Sequence, residues 1–373
     1  MELKRLGNYI REVNVRNRDL KVTNLLGMSI SKRFIPSIAN TIGTDMATYK
    51  IINHNQFAYV PVTSRNGEKI TIALLSDYDN AIISQAYTVF EIIDHNELNP
   101  EYLMMWFRRP EFDRYARYHS HGSAREVFDW DNLCDVMLPI PSITRQREIV
   151  SEYTTLTNRI RLNEQMISKL EDTAQTLYRK MFVDGIDKEN LPEGWRMGTL
   201  GEVAMYVNEK KSLSDIEESA YIATENMLKD KKGIILSTNK PEEGRGTSFL
   251  INDVLVSNIR PYFKKIWRAS FDGVCSNDVL AFRAKNGYNA AILYYSLEQN
   301  SFFDYVMTGS NGVKMPRGDK EWIMKFPVVI PSINDIEHYQ EIITCIHNYK
   351  VNGNQENQKL TELQSLLLAR MGQ

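Results

Sequence analysis

IPSITRQREIVSEYTTLTNRIRLNEQMISKLEDTAQTLYRKM, residues 140–181, is the stretch that decides the architecture of this chain. Between positions 149 and 181 its stripe positions, nearly all apolar, alternate steps of four and three residues. That is the heptad spacing of a helix that packs lengthwise against another helix. At about 1.5 Å per residue, such a helix extends roughly 50 Å. The stretch therefore predicts a long helix that needs a partner helix along one face.

A related stretch occurs at residues 330–371, IPSINDIEHYQEIITCIHNYKVNGNQENQKLTELQSLLLARM. In one gap-free alignment Leu177 falls on Leu367, and with small gaps further upstream Leu103 falls on Leu293. A period this long indicates a duplicated domain, because solenoid repeats run to about 20–50 residues. The two long helices are therefore expected to pair with each other. The stripe residues expected to form this pairing are Ile149, Leu156, Ile160, Asn163, Ile167, Leu170, Leu177, Ile343, Ile346, Leu360 and Leu367.

The region before each long helix has a different sequence pattern. Short β-rich runs at 49–52, 57–60, 70–74 and 87–90 are separated by Asn, Gly, Asp and Ser clusters, and 254–256 and 279–282 repeat this in the second copy. A single helix is predicted to follow the last strands in each copy, at about 101–115 and 290–305. Each copy is therefore predicted to be α+β and to end in one long helix.

Composition limits the class of protein without naming a function. The 373 residues carry a formal net charge of -2, so a nucleic-acid partner has to be argued from local patches. No apolar stretch reaches the ~20 residues of a membrane helix and no signal peptide is recognisable, so we expect a cytoplasmic protein. Cys134, Cys275 and Cys345 are isolated and odd in number, which argues against a disulfide framework.

Catalytic motifs are missing from the sequence. The closest string to the Asn/Asp-Pro-Pro-aromatic loop of adenine methyltransferases lies at 99–102, where Glu101 replaces the second proline. No phosphate-binding G-x-x-x-x-G-K-[ST] loop and no G-x-G-x-x-G turn occurs. His119 and His121 have no further His or Cys at ligand spacing, so no metal site is expected. The sequence predicts no catalytic residues and no cofactor in this chain.

Basic and polar residues cluster at corresponding places in the two copies. Arg and Lys neutralise phosphates, and Arg, Asn and Ser also read base edges, so these loops suit duplex DNA. A solvated charged surface is the other interpretation of such runs, and their recurrence in both copies favours DNA. The candidates are Lys32, Arg33, Arg65, Lys69, Arg109, Arg117, His119, His121, Ser123 and Arg125 in the first copy, and Lys231, Lys232, Asn258, Arg260, Tyr262, Lys264, Lys265, Ser310, Asn311, Lys314 and Arg317 in the second.

Four short sequence motifs together resemble the specificity (S) subunit of type I restriction-modification systems. They are Leu-Pro-x-Gly-Trp at 191–195 leading to Leu-Gly at 200–201, the string YIATENM at 221–227, NIRPYFKK at 258–265, and Ile-Pro-Ser before a long helix. The two-copy layout over the whole chain also resembles that family. The polar residues Lys350, Gly353 and Asn357 in the middle of the second long helix depart from a clean pattern and put a continuous coiled coil in question there.

The resemblance implies an α+β fold with two tandem target-recognition domains, joined by two long helices in an antiparallel coiled coil with a pseudo-twofold internal repeat. The implied segments are target-recognition domain 1 at 1–145, a central long helix at 146–183, a linker at 184–197, target-recognition domain 2 at 198–334 and a C-terminal long helix at 335–373. The implied role is to read a bipartite, asymmetric site in double-stranded DNA.

The resemblance also implies partners that do the chemistry. Two modification subunits would carry S-adenosylmethionine and methylate adenine, and restriction subunits would bring the requirement for ATP and Mg²⁺. Two alternatives stay open from the sequence. One is a coiled-coil scaffold that binds only proteins, and the other is a stand-alone restriction-modification enzyme, which the missing methyltransferase loop and the short length oppose.

Overall fold

The protein is described from a computed structural model, over residues 2–37, 43–64, 69–122, 125–285, 288–312 and 314–372. The chain forms two compact units. Unit 1 comprises Met1–Glu164 and Asn354–Gln373, and unit 2 comprises Gln165–Gly353. Each long helix therefore contributes one part of its length to each unit.

Unit 1 is built on a four-stranded antiparallel sheet in the order β2-β9-β6-β7. Its elements are β1 (Leu3–Arg5), β2 (Ile10–Val13), β3 (Leu26–Ser29), β4 (Arg33–Pro36), β5 (Lys50–Asn53), β6 (Phe57–Tyr59), β7 (Ile72–Leu74), β8 (Asn80–Ile83), β9 (Thr88–Ile92), α1 (Pro100–Arg108), α2 (Pro110–Tyr118), α3 (Trp130–Cys134), β10 (Met137–Pro139) and the first part of α4 (Ile143–Phe182). Its core packs aromatic side chains of this sheet, such as Phe57 and Phe90, against Phe107 of α1.

Unit 2 contains two four-stranded sheets, in the orders β12-β19-β16-β17 and β13-β15-β18-β14. Its elements are the rest of α4, β11 (Arg196–Thr199), α5 (Leu200–Val203), β12 (Ala204–Tyr206), β13 (Lys210–Ser212), β14 (Tyr221–Ile222), β15 (Arg245–Phe249), β16 (Val254–Ser257), β17 (Ile266–Arg268), β18 (Gly273–Cys275), β19 (Val279–Ala284), α6 (Ala290–Glu298), α7 (Asn300–Thr308), β20 (Ser310–Asn311), β21 (Arg317–Gly318), α8 (Lys320–Met324), β22 (Pro327–Ile330) and the first part of α9 (Ile333–Arg370).

The internal repeat is visible in the pairing of the strands. In unit 1, β1 pairs with β10, the strand that leads into the first Ile-Pro-Ser, and in unit 2 β11 pairs in the same way with β22. The helix after each central sheet begins at an asparagine cap, Asn99 for α1 and Asn289 for α6. These caps satisfy backbone N–H groups that have no partner within the helix. The two copies therefore share the pairing of their first and last strands and the capped helix that follows the central sheet.

The single helix predicted at 101–115 is wrong, because two helices occupy this stretch. Pro110 lacks a backbone N–H and forces the residue before it out of helical geometry, and Arg109 accordingly has φ -69° and ψ 139°. The helix predicted at 290–305 is likewise two helices, divided at an extended Gln299. Sequence periodicity missed both breaks because the apolar positions continue across them.

The two long helices pack together, as the heptad pattern predicts, and they run antiparallel, as the family resemblance implies. In unit 1, the Gln364 amide donates to the Thr157 hydroxyl at 2.7 Å, and the Asn163 amide donates to Asn357 Oδ1 at 2.9 Å. In unit 2, Glu171 of α4 accepts from Lys350 of α9. Residue numbers rise along one helix as they fall along the other. The predicted fold class is confirmed.

The polar centre does not interrupt α9, which is helical over all 38 residues from Ile333 to Arg370. Polar side chains there find partners across the helix pair, and the missing side chain at Gly353 leaves room for Ile167. A Cβ at position 353 would lie 3.2 Å from Ile167 Cδ1, closer than carbon atoms ordinarily approach. The middle of the coiled coil is thus a paired polar segment rather than a gap.

Candidate nucleic-acid interface

In unit 2, two loops that the sequence separates by about 50 residues lie side by side. The loop between β16 and β17, at 258–265, pairs with the segment around β21, because Ile259 forms a bridge with Arg317 and the Arg260 N–H donates to the Pro316 carbonyl at 2.8 Å. Arg317 also pairs with Asp278 at 3.0 Å. The hairpin β20–β21 carries Ser310, Asn311 and the exposed Lys314 to the same place. Candidates from 258–265 and 310–317 therefore form one surface.

A third segment of unit 2, the turn at 229–232, joins this surface through its backbone. The Asp230 N–H donates to the Phe263 carbonyl at 2.9 Å, and the Lys231 N–H donates to the Lys264 carbonyl at 3.0 Å. The two predicted lysine clusters of the second copy are therefore adjacent in space. We call the five lysines of these two segments the lysine cluster: Lys229, Lys231, Lys232, Lys264 and Lys265.

The five ammonium groups of the lysine cluster form no close ion pairs within the described residues, although the Glu298 carboxylate lies near Lys231 and the Glu225 carboxylate lies near Lys265. Lys264 donates to Asn300 at 3.0 Å, Lys265 donates to the Thr224 carbonyl at 2.6 Å, and Lys229 lies 4.0 Å from the centre of the Phe263 ring. Burial lowers the pKa of Lys231 and of Lys265 from the usual lysine value. Five cations gathered in two adjacent turns, two of them partly desolvated, form a surface that attracts phosphate.

Unit 1 brings together the equivalent pair of loops. Backbone bonds join the segment after β6 to the segment after α2: the Thr63 N–H donates to the Glu126 carbonyl at 3.0 Å, and Phe128 donates to Pro61 at 2.9 Å. Arg117, His121 and Arg125 are exposed here. His119 is half-buried, with its ring 4.3 Å from that of Tyr115. Arg65 and Ser123, which the sequence places on these two loops, lie outside the described residues.

Two predicted DNA-contacting residues of unit 1 are buried. The Lys32 ammonium lies 2.8 Å from Asp113 Oδ1 and also donates to the Phe107 carbonyl. The Arg109 guanidinium lies 4.2 Å from the centre of the Trp106 ring and is 7% exposed. Both cations are engaged inside the fold. Arg33 and Lys69 are exposed, on β4 and just before β7.

Three features of this surface were not among the sequence candidates. Asp113 is the buried partner of Lys32, Phe263 carries the Lys229 ammonium, and Tyr118 at the end of α2 is 79% exposed. The aromatic residues interleaved with the basic runs were the signal for the last two. The pairing of Lys32 with Asp113 joins residues far apart in the sequence, and no local pattern indicates it.

The helix-pairing candidates are confined to one face of each long helix, where all of them are buried or half-buried. Beside this stripe in unit 1, the two helices leave a groove of about 480 Å³ lined chiefly by leucines. Leu363 and Leu366 on its rim are 48% and 60% exposed. Exposed apolar side chains in a groove between two helices are typical of a surface on which another protein docks.

The part of the chain that the structure describes contains no candidate metal site and no candidate membrane-spanning helix. Its His, Cys, Asp and Glu side chains form no group of three or more that could hold a metal ion, and this includes His119 and His121. Nor does any helix there have the length and apolar content needed to cross a bilayer.

Comparison with known proteins gives a consistent result. Residues 23–172 match the family model of the type I restriction modification DNA specificity domain. The chain is 28% identical over 137 residues to the Type I restriction enzyme HindI specificity subunit of Haemophilus influenzae, covering 36% of this chain and 29% of that protein. It is 24% identical over 148 residues to the Type I restriction enzyme EcoDI specificity subunit of Escherichia coli, covering 39% of this chain and 33% of that protein. The matched parts thus span about a third of these relatives.

Two solved structures have the same fold over the whole chain. The S subunit of a type I restriction-modification system from M. genitalium superposes with a TM-score of 0.55 at 13% identity, covering 100% of this chain and 96% of that one. A chain from a structure on complex assembly and conformational transition of the type I R-M system gives a TM-score of 0.52 at 17% identity, covering 100% and 97%. At these identities the likeness concerns the fold.

Proposed function

We propose that this chain is a specificity subunit of a type I restriction-modification system, which its partial matches to that family support, and that it reads a bipartite, asymmetric site in double-stranded DNA. One half-site would be read by each unit. The observation that carries the proposal is the lysine cluster of unit 2, in which separate segments bring five cations together, none of them in a close ion pair within the described residues, beside the polar hairpin β20–β21. Asymmetry follows because the equivalent loops of unit 1 carry different residues.

Within each surface, different side chains have different tasks. The cations contact phosphates and fix the position of the protein on the duplex, while polar side chains next to them discriminate bases. Lys231, Lys264 and Lys265 suit the first task in unit 2, and Asn311 and Arg317 suit the second. In unit 1 the exposed Arg117, His121 and Arg125 serve in the same way. Lys32 and Arg109 support the fold beneath this surface.

We propose that the chain itself carries out no chemistry and works with two modification subunits and with restriction subunits. The modification subunits would bind S-adenosylmethionine and turn the target adenine out of the duplex, and restriction subunits would use ATP and Mg²⁺. The leucine-lined groove beside α4 and α9 supports a docking role for the helices, because Leu363 and Leu366 are exposed there. A scaffold that binds only proteins is the alternative function.

The test measures binding of the full chain, with its modification subunits, to duplex DNA at several salt concentrations. Substituting Lys231, Lys264 and Lys265 together by Ala should weaken binding to all sequences. The slope of the logarithm of the binding constant against the logarithm of the salt concentration should also become less steep, by roughly 0.9 for each phosphate that is no longer neutralised. The exposed Lys188 of the linker provides a matched Lys188→Ala control that should leave the slope unchanged.

Two outcomes would contradict the proposal. No association with DNA, or association that does not respond to salt, would favour the scaffold alternative. An unchanged slope in the triple variant would remove the lysine cluster from the interface. Methylome sequencing of a host that expresses the chain with its modification subunit would identify the site, and substitutions at Asn311 or Arg317 should alter only one of its halves.

A further inference from the structure

One exposed aromatic residue stands at the centre of the unit 2 surface. Tyr262 is 46% exposed, although it belongs to a short 3-10 turn, Pro261–Phe263, whose neighbours are packed. Phe263 is half-buried and carries the Lys229 ammonium on its ring, whereas Pro261 is buried. The Tyr262 ring contacts Phe263 edge-on at 4.7 Å and otherwise faces solvent. Leaving a large ring in water is a cost that a contact with another molecule would recover.

The turn that holds Tyr262 is stiff and strained. Arg260 and Lys264 on either side of it have left-handed backbones, with φ of 50° and 49°. In the neighbouring turn, Asp230 and Lys231 have φ of 55° and 62°. Left-handed residues other than glycine are uncommon, and each costs free energy that the rest of the fold must supply. Four in one surface indicate a conformation retained for a purpose.

Backbone hydrogen bonds fix this conformation from both sides. The Lys264 N–H donates to the Pro261 carbonyl at 2.8 Å within the turn, and Arg260 donates to Pro316 on one flank. On the other flank Asp230 and Lys231 donate to the carbonyls of Phe263 and Lys264. The backbone that carries Tyr262 is therefore fixed before any ligand arrives, and little backbone entropy is lost on binding.

The charges around Tyr262 select the ligand. The lysine cluster lies on the turn of Tyr262 and on the adjacent turn at 229–232, its ammonium groups form no ion pairs within the described residues, and such a field draws in a polyanion. An aromatic ring held amid phosphate-binding cations is what proteins use to stack on nucleic-acid bases. A ring fixed at the tip of a turn can also be inserted between base pairs as a wedge.

We propose that Tyr262 is such a wedge, which inserts its ring at a base step of the half-site read by unit 2. The inference rests on the proposed DNA-recognition function and adds a contribution to affinity that does not come from phosphate contacts. Stacking of the ring on the exposed base faces offsets the cost of separating them. The sequence preference at that step then reflects how easily the step opens.

The test uses the full chain with its modification subunits and a duplex carrying the site identified by methylome sequencing. Adenines of the second half-site are replaced one at a time by 2-aminopurine, whose fluorescence rises when it loses its stacking neighbours. Apart from the target adenine, which the modification subunits turn out of the duplex, we expect the wild-type chain to raise fluorescence at one step. Tyr262→Ala should abolish that rise and lower affinity roughly 5- to 100-fold at every salt concentration, with an unchanged salt slope. Tyr262→Phe should retain both properties.

A second exposed tyrosine provides the control. Tyr349 on α9 is 70% exposed and lies outside the lysine cluster, so Tyr349→Ala should bind as the wild type does. The proposal is overturned if Tyr262→Ala binds with wild-type affinity, or if this variant changes the slope of the salt dependence and does not lower the affinity at every salt concentration. It is also overturned if no step apart from the target adenine shows a fluorescence change. Failure of the wild-type chain to bind the duplex would instead reject the DNA-recognition function itself.

Discussion

At the scale of single residues, burial separates cations that the sequence could not distinguish. Lys32 and Lys264 both stand in short basic runs beside turn residues, and both have positive φ. Lys32 is buried in unit 1 and meets Asp113, whereas Lys264 is half-buried and meets the neutral amide of Asn300. Local sequence indicates the residue type and the turn, but the carboxylate that captures a lysine comes from a distant helix. The loops were therefore predictable and the roles of individual lysines were not.

The Lys32–Asp113 pair leads to a prediction about stability. Its side chains are 6% and 13% exposed, and burial lowers the pKa of the Lys32 ammonium while Asp113 opposes that shift. Lys32→Met leaves Asp113 charged and poorly solvated, so we expect unfolding free energy to fall by about 3–5 kcal/mol, as when one partner of a buried pair is removed. Urea unfolding measures this change.

The matched control for this prediction is the double variant Lys32→Met/Asp113→Leu, which removes both charges and should recover much of the lost stability. The salt dependence of DNA binding should be the same in the folded single variant as in the wild type. A flattened salt slope would mean that Lys32 contacts a phosphate after all.

At the scale of elements, the long helices were the most predictable part of the fold. A heptad stripe is a purely local pattern, and every predicted pairing position lies on the covered face of α4 or α9. The partners of the polar positions were not predictable, because they depend on the register between two distant segments. In the structure Asn163 donates to Asn357 and to Glu356, and Arg159 completes the group by pairing with Glu356 at 2.8 Å.

The Asn163–Asn357 pair should show strong thermodynamic coupling. Asn163→Leu leaves the half-buried Asn357 amide without its donor, and Asn357→Leu removes one of the two acceptors of the buried Asn163 amide. We expect each single change to cost about 1–3 kcal/mol. Replacing both should cost much less than the sum of the single changes, since no amide is then stranded and Glu356 keeps Arg159. Chemical unfolding of the four proteins of this double-mutant cycle measures the coupling. Additive effects would mean that the two amides do not depend on each other.

At the scale of the whole molecule, the two copies share an architecture, but the side-chain contacts at the ends of their long helices differ. The C-terminal end of α9 completes the core of unit 1 through Leu368 and Met371, and the end of α4 does the same in unit 2 through Tyr178 and Phe182. The two ends are not interchangeable. Gly372 lies against Arg109, where a Cβ would come within 2.2 Å of the guanidinium, and the aligned residue at the end of α4 is Phe182.

This broken symmetry predicts how a fragment of residues 1–190 behaves. The fragment lacks Leu368 and Met371, so its core is covered only if a second copy supplies Tyr178 and Met181 in their place, which favours a twofold dimer. In that dimer Phe182 meets Arg109. Overpacking of this kind typically costs about 1–3 kcal/mol at each contact. Phe182→Gly should therefore tighten dimerisation of the fragment by roughly tenfold or more, as measured by sedimentation equilibrium.

The same substitution has the opposite sign in the full chain. There Phe182 is buried, 5.2 Å from the Tyr339 ring and 5.6 Å from Trp195, so Phe182→Gly removes core packing from unit 2 and should lower its stability by several kcal/mol. A change that strengthens the fragment dimer and weakens the parent protein can arise only if the two copies share one architecture but not one set of contacts. If Phe182→Gly weakens the fragment dimer as well, or if the fragment stays monomeric at tens of micromolar both with and without Phe182→Gly, the ends of α4 and α9 do not occupy equivalent positions.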